Sequence, residues 1–354
     1  MMETGFWHPL DNGRIQCDLC PRHCQLAEGQ RGFCFVRAHE GNRMVLTTYG
    51  RSSGFCVDPV EKKPLHHFLP GTPILSFGTA GCNLACTFCQ NWDISKAREM
   101  DRLADHATPE GVAAAAARTG CRSVAYTYNE PIIFMEYALD VAQACRAQGI
   151  QSVAVTAGYI NLEPAAVFFG QMDAANVDLK AFSESFYHRF TGGHLQPVLE
   201  LLEYLKKETN CWVELTTLLI PGENDSDQEL EALSRWVVER LGPEVPLHFS
   251  AFHPAWKMQE KPPTPLATVQ RARRIARANG VQHVYTGNVV DPEGSVTYCQ
   301  HCGARLIERV GYTVSGWGLD EGGVCRVCRT PCAGRFEAKP GVWGNRRLPV
   351  RVGA

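Results

Sequence analysis

Residues 74–92 read ILSFGTAGCNLACTFCQNW and contain the most specific pattern in the chain. Its apolar beginning, residues 74–77, predicts a short strand, and the glycine-rich turn of residues 78–81 ends that strand. Three cysteines follow with the spacing Cys-x3-Cys-x2-Cys, at Cys82, Cys86 and Cys89. The cysteines therefore lie on a loop at the carboxyl end of the first strand of a longer pattern.

Strand and helix patterns alternate after this loop. The predicted strands are 74–77, 123–128, 151–156, 175–179, 212–219, 247–251 and 283–285. The predicted helices are 108–118, 131–147, 163–170, 197–208, 226–240 and 266–279. Strands that alternate with helices of this length build parallel βα units, and six or seven units in about 215 residues predict an α/β barrel or partial barrel. In such folds the chemistry lies at the carboxyl ends of the strands.

The cysteine loop can hold an iron–sulfur cluster. Three thiolates this close together can ligate three corners of a [4Fe–4S] cluster, which more often has four cysteine ligands. One iron is then left for a small molecule to bind. The competing interpretation is a three-cysteine zinc site completed by a distant residue, but the strand and turn that precede the loop favour the cluster.

Composition bounds the function. The chain has 354 residues, 45% of them hydrophobic and 20% charged, which excludes a disordered chain. The net charge of −2 argues against a strongly basic nucleic-acid-binding protein. No apolar run reaches the roughly 20 residues that span a bilayer, and the first residues lack a signal-peptide pattern, so we expect a cytoplasmic protein without a membrane partner. Sixteen cysteines in a reducing compartment indicate metal or redox chemistry rather than disulfides.

Two further cysteine sets have metal-ligand spacing. Paired Cys-x2-Cys knuckles predict a zinc site, with an auxiliary Fe–S cluster as the alternative, at Cys299, Cys302, Cys325 and Cys328. A set near the start can bind zinc or an auxiliary [4Fe–4S] cluster, and consists of Cys17, Cys20, Cys24 and Cys34, with His23 as an alternative ligand. We favour zinc there because the segment is polar and short and offers little apolar shielding. The five scattered cysteines are expected to be buried thiols: Cys56, Cys121, Cys145, Cys211 and Cys332.

The cysteine loop, at this place in the fold, resembles the radical S-adenosylmethionine (SAM) superfamily. The chain more closely resembles the AmmeMemoRadiSam-system radical SAM enzymes, which are relatives of pyruvate formate-lyase activating enzymes. The motifs that carry this resemblance are residues 58–71 (DPVEKKPLHHFLPG), 81–83 (GCN), 89–92 (CQNW), 126–131 (YTYNEP), 176–180 (NVDLK) and 219–225 (LIPGEND). It runs from about Cys17 to Cys332. It implies a partial (β/α)6 barrel, a [4Fe–4S] cluster and SAM. In this family one electron from the cluster cleaves SAM to a 5′-deoxyadenosyl radical, which abstracts hydrogen from a substrate.

The resemblance also implies which residues contact SAM. Glu130, at the end of the second strand, is expected to add a charge contact. Tyr128 belongs to the strand-end backbone that can bind the SAM amino group. The relatives have a Gly-Gly-Glu-type segment where this chain has Tyr128-Asn129-Glu130, so the transfer of a role is safest for Glu130. The alternative is that Glu130 only stabilises the first turn of the following helix.

Further candidates lie at later strand ends. Asp178 and Lys180 alternate with Leu179 and so share one face, where the resemblance implies Lys180 near the SAM carboxylate or ribose. A plain ion pair is the alternative. Asn161 is a candidate for a ribose or carboxylate contact. His253, at the rim after the sixth strand, is expected either to touch substrate or adenine or to be an ordinary loop histidine.

These observations predict three segments and one leading function. The segments are 1–70, rich in cysteine; 71–290, the radical SAM barrel; and 291–354, a zinc-ribbon-like tail. The leading function is that of a radical SAM enzyme that receives electrons from a donor such as flavodoxin or ferredoxin. Its expected substrate is a glycyl residue of a partner protein. The alternative substrate is a peptide, an RNA or a small metabolite. The alternatives of another class are an electron-transfer iron–sulfur protein and a zinc-stapled interaction module with a basic tail, for which a nucleic-acid partner is less favoured.

Overall fold

A computed structural model of the chain describes residues 2–96 and 105–352. The first segment contains short strands: β1 (Met2–Glu3), β2 (Trp7–Pro9), β3 (Ile15–Cys17), β4 (Gln25–Leu26), β5 (Arg37–His39), β6 (Met44–Leu46), β7 (Arg51–Ser52) and β8 (Phe55–Pro59). Six of them form two three-stranded sheets, with the orders β1-β6-β5 and β2-β3-β4. A 3-10 turn, Val60–Lys62, follows β8.

The middle of the chain builds a parallel sheet. Its strands are β9 (Pro73–Phe77), β11 (Ser123–Tyr126), β12 (Gln151–Thr156), β13 (Ala174–Asp178), β14 (Trp212–Leu219), β15 (Leu247–Ala251) and β16 (Val284–Gly287), while β10 (Asp105–His106) pairs with β7. These seven strands pair with one another in parallel, and Phe77 at the end of β9 is in register with Tyr126 at the end of β11. All carboxyl ends therefore meet at one edge of the sheet.

Helices connect these strands. They are α1 (Trp92–Ser95), α2 (Pro109–Arg118), α3 (Met135–Arg146), α4 (Leu162–Phe169), α5 (Glu184–Phe186), α6 (Gln196–Glu208), α7 (Asp227–Trp236) and α8 (Leu266–Ala278). A 3-10 turn, Pro131–Phe134, precedes α3, and π turns, Tyr187–Thr191 and Val237–Leu241, follow α5 and α7. The Thr108 hydroxyl accepts a hydrogen bond from the Gly111 N–H at 3.1 Å and so caps α2, as its sequence predicted.

The predicted α/β fold is confirmed. Each of the seven predicted strands is present within two residues of its expected bounds. The sheet does not close among the described residues, since its strand order runs from β16 at one edge to β9 and then β8 at the other side. A partial barrel is thus the observed architecture.

The tail returns to the main sheet. Strands β17 (Thr297–Tyr298), β18 (Arg305–Val310) and β19 (Thr313–Trp317) form a small antiparallel sheet, and β20 (Leu348–Val350) then pairs antiparallel with β8. Because β8 itself pairs antiparallel with β9, both outer segments contribute a strand to the main sheet. The three-part division of the chain stays a prediction.

The first segment shares the core of the barrel. Leu19, Val36 and Met44 are buried in the same apolar cluster as the strands and helices of the middle segment. The tail has its own small core, which includes Leu306, Ile307 and the buried Cys325. The scattered cysteines predicted to be buried thiols are all buried. Within residues 2–96 and 105–352, none of the helices is both long and apolar enough to cross a bilayer.

Candidate functional site

The cysteine loop lies at the carboxyl edge of the sheet. It leaves β9 through Gly81, whose φ of +82° is a left-handed conformation that glycine adopts without strain. A Cβ at Gly81 would lie 2.0 Å from the carbonyl oxygen of Cys34, so the first segment is pressed directly against the start of the loop. A glycine is required here for two independent reasons, conformation and space.

Hydrogen bonds to neighbouring elements hold the loop in place. The Asn83 side chain donates to the Tyr159 carbonyl at 2.7 Å, and the Ala85 N–H donates to the Thr191 carbonyl at 2.7 Å. Asn129 fixes the preceding turn, since its side-chain oxygen accepts from the Thr79 N–H and its amide donates to the Gly81 carbonyl. Asn129 lies within the motif of residues 126–131, but the sequence predicted no role for it. A polar residue just after a predicted strand end could have indicated that Asn129 binds the glycine-rich turn of residues 78–81.

Burial raises the pKa of two loop thiols, Cys82 and Cys86. The pKa of Cys82 rises to about 12, mainly through burial and also through the nearby Glu130 carboxyl, while Lys96 acts in the opposite direction. Burial likewise raises the pKa of Cys86, and Lys180 opposes that shift. Lys96, which also donates to the Leu84 carbonyl at 2.7 Å, was not singled out from the sequence. A cationic centre is therefore needed to hold these sulfurs as thiolates.

The three loop thiols do not converge on one point. In the described parts of the chain, three or more metal-ligating residues bring their ligand atoms within 4.8 Å of one another in two groups, the four tail cysteines and the set His67, His283 and Cys332. Both ring nitrogens of His67 already face protein oxygens, those of Ala333 and Tyr285, at 2.6 Å. The three loop thiols do not form such a group, so they are not gathered around the position of a single ion.

Glu130 is buried beside the loop, with both oxygens engaged. The Thr156 hydroxyl donates to one oxygen at 2.5 Å and the Ala157 N–H to the other at 2.8 Å. It also caps the turn that begins at Pro131, since Ile132 N–H donates to it. Burial raises the pKa of Glu130, against the effect of these hydrogen bonds. The carboxyl therefore ties the ends of β11 and β12 together next to Cys82.

Asp178 and Lys180 form an ion pair at the end of β13. Lys180 Nζ lies 2.9 Å from Asp178 Oδ2, and the Lys180 N–H donates to the Tyr187 hydroxyl. Burial works against the charged form of Lys180, but Asp178 and the Cys86 sulfur outweigh it and raise the lysine pKa. The pair thus places a fixed positive charge beside Cys86.

The remaining candidates for SAM contacts are Tyr128, Asn161 and His253. The Tyr128 hydroxyl donates to Asp58 at 2.9 Å, and its backbone has a φ of +71°. The side-chain amide of Asn161 donates to the Asp18 carbonyl at 2.6 Å, which attaches the first segment to the barrel. His253 is exposed at the rim. Nearby, the Lys257 N–H donates to the Thr87 carbonyl, so this rim segment contacts the cysteine loop. Their predicted roles toward SAM stay predictions.

The tail knuckles meet in space. Sγ atoms of Cys299 and Cys328 lie 3.5 Å apart, and those of Cys302 and Cys325 lie 3.8 Å apart. A tetrahedral ion with sulfur ligands at about 2.3 Å needs sulfurs about 3.8 Å apart. The chain therefore has a cysteine-rich, metal-binding type of extension at its end.

Fold and site together define a partial α/β barrel with a cysteine-rich loop at its carboxyl edge. The model of the Radical SAM superfamily matches residues 77–233, from the end of β9 into α7. An uncharacterized protein of Methanocaldococcus jannaschii is 40% identical over 329 residues, which cover 93% of this chain and 98% of that protein. The chain belongs to the radical SAM superfamily, whose members are in general enzymes.

More distant similarity reaches activating enzymes. Pyruvate formate-lyase 1-activating enzyme of Escherichia coli (strain K12) is 23% identical over 176 residues, 47% of this chain and 69% of that protein. The solved structure of a radical SAM methyltransferase from Sphaerobacter thermophilus matches 63% of this chain and 69% of the methyltransferase chain, with a TM-score of 0.49 and 20% identity. The predicted relation to activating enzymes is confirmed, and the narrower AmmeMemoRadiSam assignment stays a prediction.

Proposed function

We propose that this chain cleaves SAM reductively at a [4Fe–4S] cluster ligated by Cys82, Cys86 and Cys89. The supporting observation is the loop itself: three thiols that do not converge on a single ion, at the carboxyl edge of a parallel sheet, between an acidic and a basic side chain. The cluster, when bound, supplies one electron that splits SAM into methionine and a 5′-deoxyadenosyl radical, which abstracts a hydrogen atom from the substrate.

The residues of the chain bind and orient SAM. Lys180, held by Asp178, offers a positive charge beside Cys86 to the SAM carboxylate. Glu130 offers a negative charge beside Cys82 to the positively charged end of SAM, and its hydrogen bonds to Thr156 and Ala157 keep that charge in place. Opposite charges on two sides of one loop match a zwitterionic amino-acid group. Tyr128, Asn161 and His253 are proposed as outer contacts of the same pocket.

The test is product formation without oxygen. Purified protein with SAM and a low-potential reductant is expected to release 5′-deoxyadenosine, measured by chromatography. The triple change of Cys82, Cys86 and Cys89 to Ala should abolish it. Cys121→Ala is the matched control. Cys121 is also a buried thiol, but it precedes β11 and so lies at the amino ends of the strands, away from the cysteine loop. Retained cleavage in the triple variant, or none in iron-loaded wild type, would refute the proposal.

The substrate class is a second part of the proposal. Likeness to a pyruvate formate-lyase 1-activating enzyme supports hydrogen abstraction from a glycyl residue of a partner protein, with flavodoxin or ferredoxin as reducing donor. Radical modification of a peptide, RNA or small metabolite is the alternative. Incubation with candidate glycyl-radical proteins and detection of a glycyl EPR signal separates the two.

We further propose that the four tail cysteines bind one zinc ion that has a structural role. Their sulfur separations of 3.5 and 3.8 Å fit tetrahedral coordination by four thiolates, which leaves no open position for water or substrate. The competing interpretation is a nucleic-acid-binding module, in which the arginines of the tail would contact the nucleic acid. Arg329 pairs with Asp320, and the guanidinium of Arg335 donates to the Asn210 carbonyl. These contacts within the chain favour a structural role for those arginines.

A further inference from the structure

We propose that Cys17, Cys20, Cys24 and Cys34 hold a second iron–sulfur cluster rather than a zinc ion. All four line one small cavity at the junction of the first segment with the barrel. Within the described residues, they are not among the groups whose ligand atoms come within 4.8 Å of one another. The four cysteines therefore share one cavity without meeting at a point.

The tail cysteines provide the comparison inside the same molecule. Their four sulfurs do converge within 4.8 Å, as a single tetrahedral ion requires. Both sets contain four cysteines and at least one Cys-x2-Cys pair, but the backbone places their sulfurs differently. Four thiolates that line one cavity without meeting at a point fit a [2Fe–2S] or [4Fe–4S] cluster, in which the sulfurs ligate different irons.

The surroundings of the first set are apolar. Cys17, Cys20 and Cys34 are each 8% exposed, and the cavity wall includes Leu19 and Leu26, which are 1% and 5% exposed. The expectation of zinc rested on little apolar shielding in this segment, and that premise is wrong. Apolar residues of the segment itself, such as Leu19 and Leu26, belong to the same buried cluster as the strands and helices of the barrel.

A buried positive charge faces the same cavity. Arg37 lines it and is 1% exposed. Its guanidinium binds Glu136 at 2.6 Å and the Ile133 carbonyl at 3.1 Å, while Nη1 has no hydrogen-bond partner among the described residues. A buried donor without a partner is costly, and sulfur atoms of a negatively charged cluster would satisfy it.

The cavity also borders the cysteine loop of the barrel. Asn83, next to Cys82, lines it, and the Arg22 guanidinium donates to the Asn83 carbonyl and, at 2.8 Å, to the Gly192 carbonyl. The two proposed cluster sites therefore lie next to each other, with Asn83 between them.

The decisive variant lacks the other cluster. With Cys82, Cys86 and Cys89 all changed to Ala, anaerobically reconstituted protein is expected to stay brown and retain about two to four irons per chain. Adding Cys20→Ala and Cys34→Ala to that background should remove this iron. Adding Cys121→Ala and Cys145→Ala instead should not, since these thiols are equally buried but lie outside the cavity lining.

The zinc alternative makes opposite predictions. A colourless triple variant with about two zinc ions per chain would overturn the proposal. If the triple variant does not fold, wild-type protein decides: about six to eight irons and about one zinc support two clusters, whereas about four irons and two zincs overturn the second cluster. Because the triple variant lacks the proposed SAM cluster, these outcomes do not depend on SAM cleavage.

Discussion

The carbonyl oxygen of Cys34 occupies the space in which a side chain at Gly81 would begin. A Cβ there would lie 2.0 Å from that oxygen. Cys34 belongs to the first cysteine set and Gly81 opens the loop of Cys82, Cys86 and Cys89. The two cysteine-rich parts of the chain are therefore built against each other, and a change at this contact should affect both.

Gly81→Ala tests this contact. The added methyl overlaps backbone that cannot move away as a flexible side chain could, so we expect a loss of about 1–3 kcal/mol in the free energy of unfolding beyond the control. The control is Gly29→Ala, which has a similar φ of +78° but nothing within 4 Å of its Cβ position. Denaturant unfolding of the two variants gives the comparison. Equal losses would show that conformation alone, and not the contact, matters at Gly81.

Lys180→Met tests the charge beside Cys86. We expect SAM affinity to fall about 10–150-fold, because a hydrogen bond to a charged group is worth about 1.5–3 kcal/mol, while cluster iron stays unchanged. Equilibrium binding to iron-loaded protein measures it. Lys206→Met is the matched control, since Lys206 also forms an ion pair, with Glu244 at 2.5 Å, on the surface. Unchanged affinity in Lys180→Met would leave the lysine a purely structural role.

Glu130→Gln should affect both stability and binding. A glutamine amide cannot accept hydrogen bonds on both of its terminal atoms, so either Thr156 or Ala157 loses its acceptor. We expect a loss of about 1–3 kcal/mol in the free energy of unfolding, together with weaker SAM binding. Glu229→Gln is the control, because Glu229 also accepts a backbone N–H, that of Phe182. Lower stability with normal SAM affinity would contradict a binding role.

Asp58 should make stability depend on acid pH. Burial disfavours its charge, but Lys63 at 2.7 Å and Lys62 at 3.0 Å outweigh that and hold the pKa at about 2, below the usual 3.8. A lowered pKa gives stability that is present above about pH 4 and is lost as the pH falls toward 2, roughly 2 kcal/mol in all. Unfolding at about pH 6 and about pH 3 should show Asp58→Asn and wild type converging in acid. A gap that does not narrow would contradict this.

Cys325→Ser should release the tail zinc. Four thiolates form a closed site, so we expect loss of about one zinc ion per chain and protease sensitivity after about residue 291. SAM cleavage should survive in the folded fraction, because the barrel provides that site. Metal analysis and limited proteolysis check both expectations, with Cys121→Ser as a thiol control outside the tail. Loss of iron instead of zinc would mean that the tail holds an iron–sulfur cluster.

Local patterns determined the parallel strands and helices of the barrel. The order of these elements could be predicted from alternating apolar runs, and helix starts such as Thr108 from capping residues, because both signals lie within a few residues. The cysteine loop followed from its spacing after the first strand. None of this required knowledge of distant contacts.

Pairings across the chain could not be predicted in this way. Strand β8 joins β9, and β20 joins β8, in register between Val57 and Leu348. Such edge pairings join short segments that carry no alternating pattern of their own. Likewise, the sequence did not predict that the side-chain amide of Asn161 donates to the Asp18 carbonyl. Its partner lies far away in sequence, and only the packed chain identifies it.

The fold class, the family resemblance and the candidate metal-ligating cysteines could be predicted from the sequence, because these depend on residue type and spacing. The arrangement of those cysteines in space could not. The four tail sulfurs converge, whereas the four of the first segment line a cavity against the barrel core. Both sets nevertheless contain a Cys-x2-Cys pair. The physical reason is that a ligand set is defined by distances between sulfurs, and the packing of the surrounding backbone sets those distances.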